Sequence, residues 1–434
     1  MNISIIGTGY VGLVSGVGFA EFGFNVTCID KNQDHLDKLL NGNMPIYEPG
    51  LEELFNKHFK ITKRLTLSND IKSSLSDADV IFITVGTPSK RIDDEADLTA
   101  VYDVAAEIAE SINKYSLVVT KSTVPVGTSR KIKEIIENKI DKKLFDIASN
   151  PEFLREGSAI NDFMRPDRIV IGVESKKAEK ILKSIYRPLY IIETPIFSTN
   201  IETAEVIKYA SNSFLATKIT FINEVANLCE KVGADIQDVS KAMGLDNRIG
   251  AKFLHAGPGF GGSCFPKDVR AFFKTGEENN VSLSIINAVN ISNKERPRLL
   301  VEKISKYFSN NIKNLNFTLL GLSFKPNTDD IRESSSIDIG NRLFEAGANI
   351  NTYDPKAMEN TKKKYDNFKY FSDPYKACDN ADAIIICTEW NEFRALDFYE
   401  LKKIVNRPVL FDLRNLYNQE EMKNSGWEHI SVGR

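Results

Sequence analysis

The chain has 434 residues, 42% of them hydrophobic and 26% charged, with a formal net charge of −3. That length exceeds one ordinary core and predicts two or three domains, and the near-neutral balance gives no bulk attraction to nucleic acid or to an anionic membrane. Five scattered cysteines argue for free thiols in a reducing compartment, and four histidines without metal-like spacing argue against a catalytic zinc.

The first element is the run Asn2–Ile6, read as a strand that enters a glycine loop and not as a cleavable leader. The apolar runs near 79–85, 116–120 and 383–387 are too short to span a bilayer, so a cytoplasmic protein without a membrane partner is expected. Further strands at 25–30, 79–85, 116–121 and 146–149 alternate with helical patterns, which predicts βαβ units and a parallel sheet. Between the first two strands lies Gly7-Thr8-Gly9-Tyr10-Val11-Gly12. Gly7, Gly9 and Gly12 allow a tight turn, close approach of a pyrophosphate and close helix–strand packing, and the helix start offers free N–H groups to phosphate. Asp30 ends the next strand, where a carboxylate can bond both ribose hydroxyls and repel a 2′-phosphate. NAD is therefore expected over NADP, with FAD and a plain glycine turn as the lesser readings. The polar loop Thr87–Asp97 is either a lid over the ligand crevice or a solvated loop.

From Ile201 to about Val232 the pattern is helical and free of proline. Such a helix is about 45–50 Å long and reads as a spine with a dimer surface. A second helical stretch continues to about 295. A second α/β pattern follows, with strands at 316–321, 349–353, 383–387 and 409–411 and a helix from about Ser335 to Glu345. The fold class is α/β, two Rossmann-like parallel-sheet domains joined by a long central helix. The expected boundaries are 1–197 for the NAD-binding domain, 198–298 for a central helical dimerisation domain and 299–434 for the second Rossmann-like domain.

The stretch Gly257-Pro258-Gly259-Phe260-Gly261-Gly262-Ser263-Cys264-Phe265-Pro266-Lys267-Asp268 carries the most chemistry. Pro266 suits a first helical position, which sets Cys264 just before a helix N-terminus with Lys267 nearby. Both features favour thiolate. A thiolate can hold an aldehyde covalently, so oxidation through a thioester is suggested beside the dinucleotide loop. Lys208 and Asn212, four apart on the long helix, share a face; alone, such a pair is more often a solvated face. Asp268 can simply complement its helix dipole.

These motifs, with Pro45–Leu51, Val85–Pro88, Lys121–Gly127, Asn150–Gly157, Arg248–Gly250, Gly321–Lys325 and Arg332–Ser335, occur in one order along nearly the whole chain. On them the chain resembles the nucleotide-sugar dehydrogenases, in their UDP-glucose 6-dehydrogenase branch. The resemblance implies four-electron, NAD-dependent oxidation of UDP-glucose to UDP-glucuronate for glycan or polysaccharide precursors, in a homodimer or higher homo-oligomer. It implies Cys264 as nucleophile, Lys208 and Asn212 on substrate and oxyanion, and Asp268 acting with Lys208 through water. Glu152 is implied in thioester hydrolysis, and Thr123 and Glu156 near the nicotinamide, with Thr123 also holding water. Thr87, Lys267 and Arg332 are implied on the cofactor side. Phe153, Leu154, Phe253, Gly261, Phe265, Phe324 and Lys325 are implied as substrate contacts, Lys325 for the diphosphate, and Arg248 as a reach into a neighbouring subunit. Arg414 is a weaker substrate candidate. One departure is His35, where relatives often carry Lys, which is expected to weaken the adenosine-side contact.

Competing readings stay open on the residues alone. GDP-mannose, UDP-N-acetylmannosamine and UDP-N-acetylglucosamine dehydrogenases share the cysteine and both α/β ends. A two-electron hydroxyacid dehydrogenase has no use for Cys264, and a non-catalytic NAD-binding regulator needs no perturbed thiol.

Overall fold

The computed structural model describes residues 1–90 and 95–434. Within the loop Thr87–Asp97, residues 91–94 therefore lie outside the described residues, and Ser89 and Ala96 flank them in an isolated antiparallel bridge. The chain forms two compact units, residues 1–211 with 274–281 and residues 212–273 with 282–434. Among the described residues no helix is long and apolar enough to cross a membrane.

The first unit carries an eight-stranded sheet: β1 Asn2–Ile6, β2 Asn25–Ile29, β3 Leu65–Ser68, β4 Val80–Ile83, β5 Ser116–Thr120, β6 Phe145–Ser149, β7 Ile169–Val173 and β8 Ile196–Thr199. Their order is β3-β2-β1-β4-β5-β6-β7-β8. The first six strands have the doubly wound order, with its switch point between β1 and β4. The five strands expected from the sequence, β1, β2, β4, β5 and β6, pair in parallel; β7, which is not among them, pairs antiparallel with β6 through Ala148–Val173 and Ser149–Gly172. The central strands β4 and β5 are buried along their whole length, as befits strands covered by helices on both faces. One face packs Leu13, Val17, Phe19 and Phe82, and the other packs Ile81, Ile83, Ala105 and Ile108.

The second unit carries six strands: β9 Asn316–Leu320, β10 Asn349–Tyr353, β11 Lys369–Tyr370, β12 Ala383–Ile386, β13 Val409–Asp412 and β14 Glu428–Ser431. Their order, β11-β10-β9-β12-β13-β14, repeats that of the first six strands of the other sheet, and every pairing is parallel. The helix Ile201–Val232 runs unbroken for 32 residues. The helix that follows the glycine stretch begins at Phe265 and ends at Glu278. Pro266 is thus its second residue and not its first. Cys264 occupies the cap position, its carbonyl accepting the first helical bond from the Asp268 N–H at 3.0 Å.

Candidate active site

In the first unit the loops that leave β1, β2, β4, β5 and β6 at their carboxyl ends hold the cofactor residues expected there. Gly7 turns the chain at φ 100°, and the Thr84 hydroxyl on the β4 loop donates to its carbonyl at 2.8 Å. A Cβ on Gly12 would overlap the Gly7 carbonyl, whereas one on Gly9 would meet nothing within 4 Å. Gly9 therefore faces open space at the start of helix Tyr10–Glu21, whose cap has no side-chain hydrogen bond. An anion can approach the first-turn N–H groups there. Asp30 accepts from the Thr8 N–H at 2.9 Å, the Thr8 hydroxyl at 2.7 Å and the Asn32 N–H at 3.0 Å. Burial opposes its charge, but these bonds and His35 hold the carboxyl below its ordinary range. It stays half-exposed, with lone pairs left for a ribose. The donor set and the open cradle fit NAD.

His35 has a part that its sequence position does not suggest. Its Nε2 lies 2.9 Å from the Thr8 carbonyl, and since a carbonyl only accepts, the ring donates. Asp30 and His35 thus grip both polar ends of the Thr8 peptide segment. The second unit repeats the layout with a different outcome. Asp354, just past β10, accepts from Leu322 and Ser323 N–H, the Ser323 hydroxyl, Lys356 and Ala357 N–H and the Trp390 indole. It is 2% exposed, so its carboxylate is spent inside the protein.

The remaining expected residues of the first unit cluster beyond β4, β5 and β6. The Thr87 hydroxyl donates to the Thr123 carbonyl at 2.8 Å, joining the two loops. Glu152 and Lys208 are both buried and form an ion pair at 2.9 Å. Burial would raise the Glu152 carboxyl, but Lys208, the Leu154 N–H and Lys121 together bring it below its ordinary range. The Arg168 guanidinium covers the Phe153 ring at 3.6 Å. Glu156 is buried in the next turn. That turn is tied down by Glu48, which accepts from the Tyr10 hydroxyl and from the Gly157 and Ala159 N–H groups. Burial pushes the Glu48 carboxyl up. Lys121, Glu48 and Arg168 were not legible as site residues. Lys121 and Glu48 stand in recognisable motifs, but nothing in their spacing assigns a partner.

In the second unit the cysteine loop is held by backbone and side-chain bonds. The Gly257 N–H donates to Asn223 Oδ1 at 2.8 Å, and Arg296 Nε donates to the Gly257 carbonyl at 2.9 Å. Asn293 accepts from the Phe260 N–H at 2.9 Å and donates to the Phe260 carbonyl at 3.0 Å. The Gly262 N–H donates to the Arg332 carbonyl at 2.8 Å. Gly262, at φ 84°, lies flat under the Phe324 ring, and a Cβ on it would come within 2.6 Å of that ring. Gly261 is pressed as closely against the Glu333 carbonyl. Cys264 is half-buried, with its sulfur 3.6 Å from the Ser263 hydroxyl.

Asn212 and Asp268 meet at 2.6 Å, and Lys267 reaches the other carboxylate oxygen of Asp268 at 2.6 Å. Phe253 sits at φ 66°, a strained value for a bulky residue, and its ring centroid is 6.1 Å from that of Phe265. Lys325 Nζ lies 5.4 Å from the Phe324 ring. Arg414 donates to the Cys387 and Phe324 carbonyls. Arg332 binds Asp330 at 2.8 Å. Arg248 is exposed and pairs with Asp246 at 2.6 Å. The other four cysteines are buried, and burial pushes the thiols of Cys28 and Cys387 up to about 12.

Residues 1–190 match the UDP-glucose/GDP-mannose dehydrogenase family, NAD binding domain; residues 202–295 match that family's central domain and residues 318–419 its UDP binding domain. The chain is 49% identical over 436 residues to UDP-glucose 6-dehydrogenase of Rhizobium meliloti (strain 1021), covering 100% of both chains. It is 44% identical over 435 residues to UDP-glucose 6-dehydrogenase TuaD of Bacillus subtilis (strain 168), covering 100% of this chain and 93% of that one. A solved UDP-glucose dehydrogenase from the hyperthermophilic archaeon Pyrobaculum islandicum superposes with a TM-score of 0.91 at 38% identity, covering 99% of this chain and 96% of that one. The UDP-D-ManNAc dehydrogenase of Pyrococcus horikoshii gives 0.87 at 25% identity, covering 100% and 99%.

Proposed function

Because the chain belongs to the UDP-glucose/GDP-mannose dehydrogenase family, we propose that it is an NAD-dependent oxidoreductase that converts the C6 alcohol of UDP-glucose to the carboxylate of UDP-glucuronate. The observation that carries the substrate is the full-length identity of 49% to a UDP-glucose 6-dehydrogenase, against 25% to a relative acting on the N-acetylmannosamine sugar. Residues 1–197 form the NAD-binding domain, 198–298 the central domain and 299–434 the UDP-sugar domain. The protein works in the cytoplasm.

Bound NAD supplies the acceptor for the hydride lost in each of two oxidations. The residues do the rest. Gly9 and the first-turn N–H groups beside it receive the pyrophosphate, and Asp30 receives the ribose. Thr87, Thr123, Glu156, Lys267 and Arg332 serve the cofactor side. The C6 alcohol first becomes an aldehyde. Cys264 Sγ then adds to its carbon, and the carbonyl oxygen takes a proton to give a thiohemiacetal. Loss of the second hydride and of the hydroxyl proton leaves a thioester, which water cleaves to the acid and the free thiol. Lys208 and Asn212, one helical turn apart, stabilise the oxygen that carries negative charge. Glu152 and Asp268 move protons for hydrolysis. Phe253, Gly261, Phe265, Phe324 and Lys325 receive the sugar and diphosphate, with the backbone of Phe153 and Leu154. Support for the thiolate role is the cap position of Cys264, where the helix dipole favours an anion.

We further propose a homodimer. The long helix exposes Phe214, Phe221 and Leu228 at 65%, 48% and 59%, a stripe that repeats every seventh residue, and Arg248 stands exposed to reach a partner's site.

The test is NADH formed per molecule of limiting UDP-glucose with NAD in excess. Two NADH with an acid product are expected. One NADH would overturn the thioester route, and none would overturn the substrate.

A further inference from the structure

Lys121 directly follows β5 and is 4% exposed. Its Nζ lies 3.2 Å from Asn150 Oδ1 and 3.4 Å from the Tyr186 hydroxyl. Tyr186 donates to the same Asn150 oxygen at 2.5 Å, and Asn150 Nδ2 donates to the Val170 carbonyl at 2.9 Å. Asn150 and Tyr186 are buried as well. Asn150 is two residues before Glu152, so this knot sets the turn that presents the Glu152 carboxylate. Among the described residues Lys121 makes no ion pair of its own. Three groups bear on its charge: Glu152 attracts it, Lys208 repels it, and Tyr186 stays neutral because burial raises its hydroxyl.

Lys121 is thus an ammonium held out of water beside the buried Lys208–Glu152 pair. Buried charge without a full complement is costly and is relieved by losing a proton. Burial, with the repulsion of Lys208, lowers Lys121 to about 8 against the pull of Glu152. A neutral side chain of similar length would tie β5 to β6 without that cost. Retention of an ammonium is the feature that needs a use.

We propose that Lys121 is a positioning residue for the oxidation: its buried ammonium anchors Asn150, and with it the turn bearing Glu152, and supplies the second positive charge that faces that carboxylate. The protonated form is the competent one, so turnover carries an alkaline limb that belongs to Lys121. This rests on the reading of Glu152 as a hydrolytic residue.

The experiment compares full-length wild type, Lys121→Arg, Lys121→Met and Glu152→Gln in NADH formation and in thermal melting over roughly pH 6 to 10. Wild-type kcat falls with a midpoint at about 8. Lys121→Arg, whose charge does not titrate in this range, moves the midpoint up by more than about one unit. Lys121→Met loses about tenfold or more below the midpoint and matches wild type above it. The folded state gives up the Lys121 proton before the unfolded chain does, so stability rises with pH between the two values. The wild-type melting temperature thus climbs relative to that of Lys121→Met from about pH 8 upward.

Equal loss in both Lys121 variants at every pH, with the limb unmoved, would mean a structural knot only and overturn the proposal. So would wild-type behaviour of Lys121→Met. If Lys121→Arg does not fold, a pH-independent melting difference between wild type and Lys121→Met overturns it alone. Full turnover in Glu152→Gln would sink the reading of Glu152 instead, while the melting difference would still report the buried ammonium.

Discussion

Asn212 donates its side-chain amide to Asp268 across 2.6 Å, and both residues are buried. Lys267 holds the second oxygen of the same carboxylate. The two carboxylate oxygens of Asp268 therefore each have a donor, in the first turn of the helix capped by Cys264. Replacing the amide by a carboxylate tests this. In Asn212→Asp two acids would stand in contact, and one must keep its proton. The expected cost is about 2 kcal/mol or more at pH 8, shrinking toward pH 5 as the shared site protonates. Urea unfolding at the two pH values reads it. A cost independent of pH would count against direct contact between the two acids.

Lys208 and Glu152 make the corresponding pair in the first unit, each 3–4% exposed. Removing Lys208 leaves Glu152 buried without its hydrogen-bonded partner, with only Lys121 left to face it, which costs up to about 3–5 kcal/mol. Lys208→Met should show that loss near neutral pH. The sign follows from the carboxyl, which in wild type is held below its ordinary range by Lys208. That stabilisation is present above the unfolded carboxylate value of about 4.3 and is lost as pH falls through the lower folded value. The stability gap between wild type and Lys208→Met should therefore be wide at pH 7 and close in acid. A gap that widens in acid would remove Glu152 as its source.

Much of the fold is legible in the sequence. The buried strands β4 and β12 are unbroken apolar runs and β1, β5 and β9 are mostly apolar, and the helix Ile201–Val232 is a long pattern without proline. The strands that escape such a reading are mostly edges. β8 and β14 are half-exposed and mixed in composition, and β11 is two residues long; an edge strand need not be apolar on both faces. The antiparallel turn of β7 is set by pairing with β6, which no local pattern encodes. Among site residues, glycines, Asp30 and Cys264 are readable because their chemistry is local. Lys121, Glu48 and Arg296 act through partners far along the chain. The two halves of the chain read as equivalent, yet Asp30 stays open to a ligand while Asp354 is saturated by six donors.

The two glycines of the dinucleotide loop should separate binding from folding. Gly9 has nothing within 4 Å of a Cβ, whereas Gly12 is in contact with the Gly7 carbonyl. Gly9→Ala should melt within about 1 kcal/mol of wild type without cofactor and lose most of the melting shift that NAD produces. Gly12→Ala should lose stability outright, by about 2 kcal/mol or more, with or without NAD. Equal behaviour of the two would contradict an open cradle at Gly9.

Arg296 is the brace of the cysteine loop, and its effect should reach Cys264 without contact. Its guanidinium is 3% exposed and donates to the Gly257 carbonyl and to Asn227. Nη2 is buried without a partner, and burial lowers the group to about 10. A cation held this way contributes geometry more than charge. It sits beside Pro297, which interrupts the bonding of helix Ser284–Tyr307. Arg296→Met keeps volume but leaves the Gly257 and Asn227 oxygens unsatisfied, a cost of about 1–3 kcal/mol each. The loop that sets Cys264 at its helix cap would then be fixed by Asn223, Asn293 and the Arg332 carbonyl alone. The expected result is a loss of kcat larger than any change in KM, together with altered alkylation of Cys264 by iodoacetamide. Arg296→Lys, which can still reach one carbonyl, should recover part of both. Full activity and unchanged alkylation in Arg296→Met would mean that the remaining three anchors suffice to hold the cysteine.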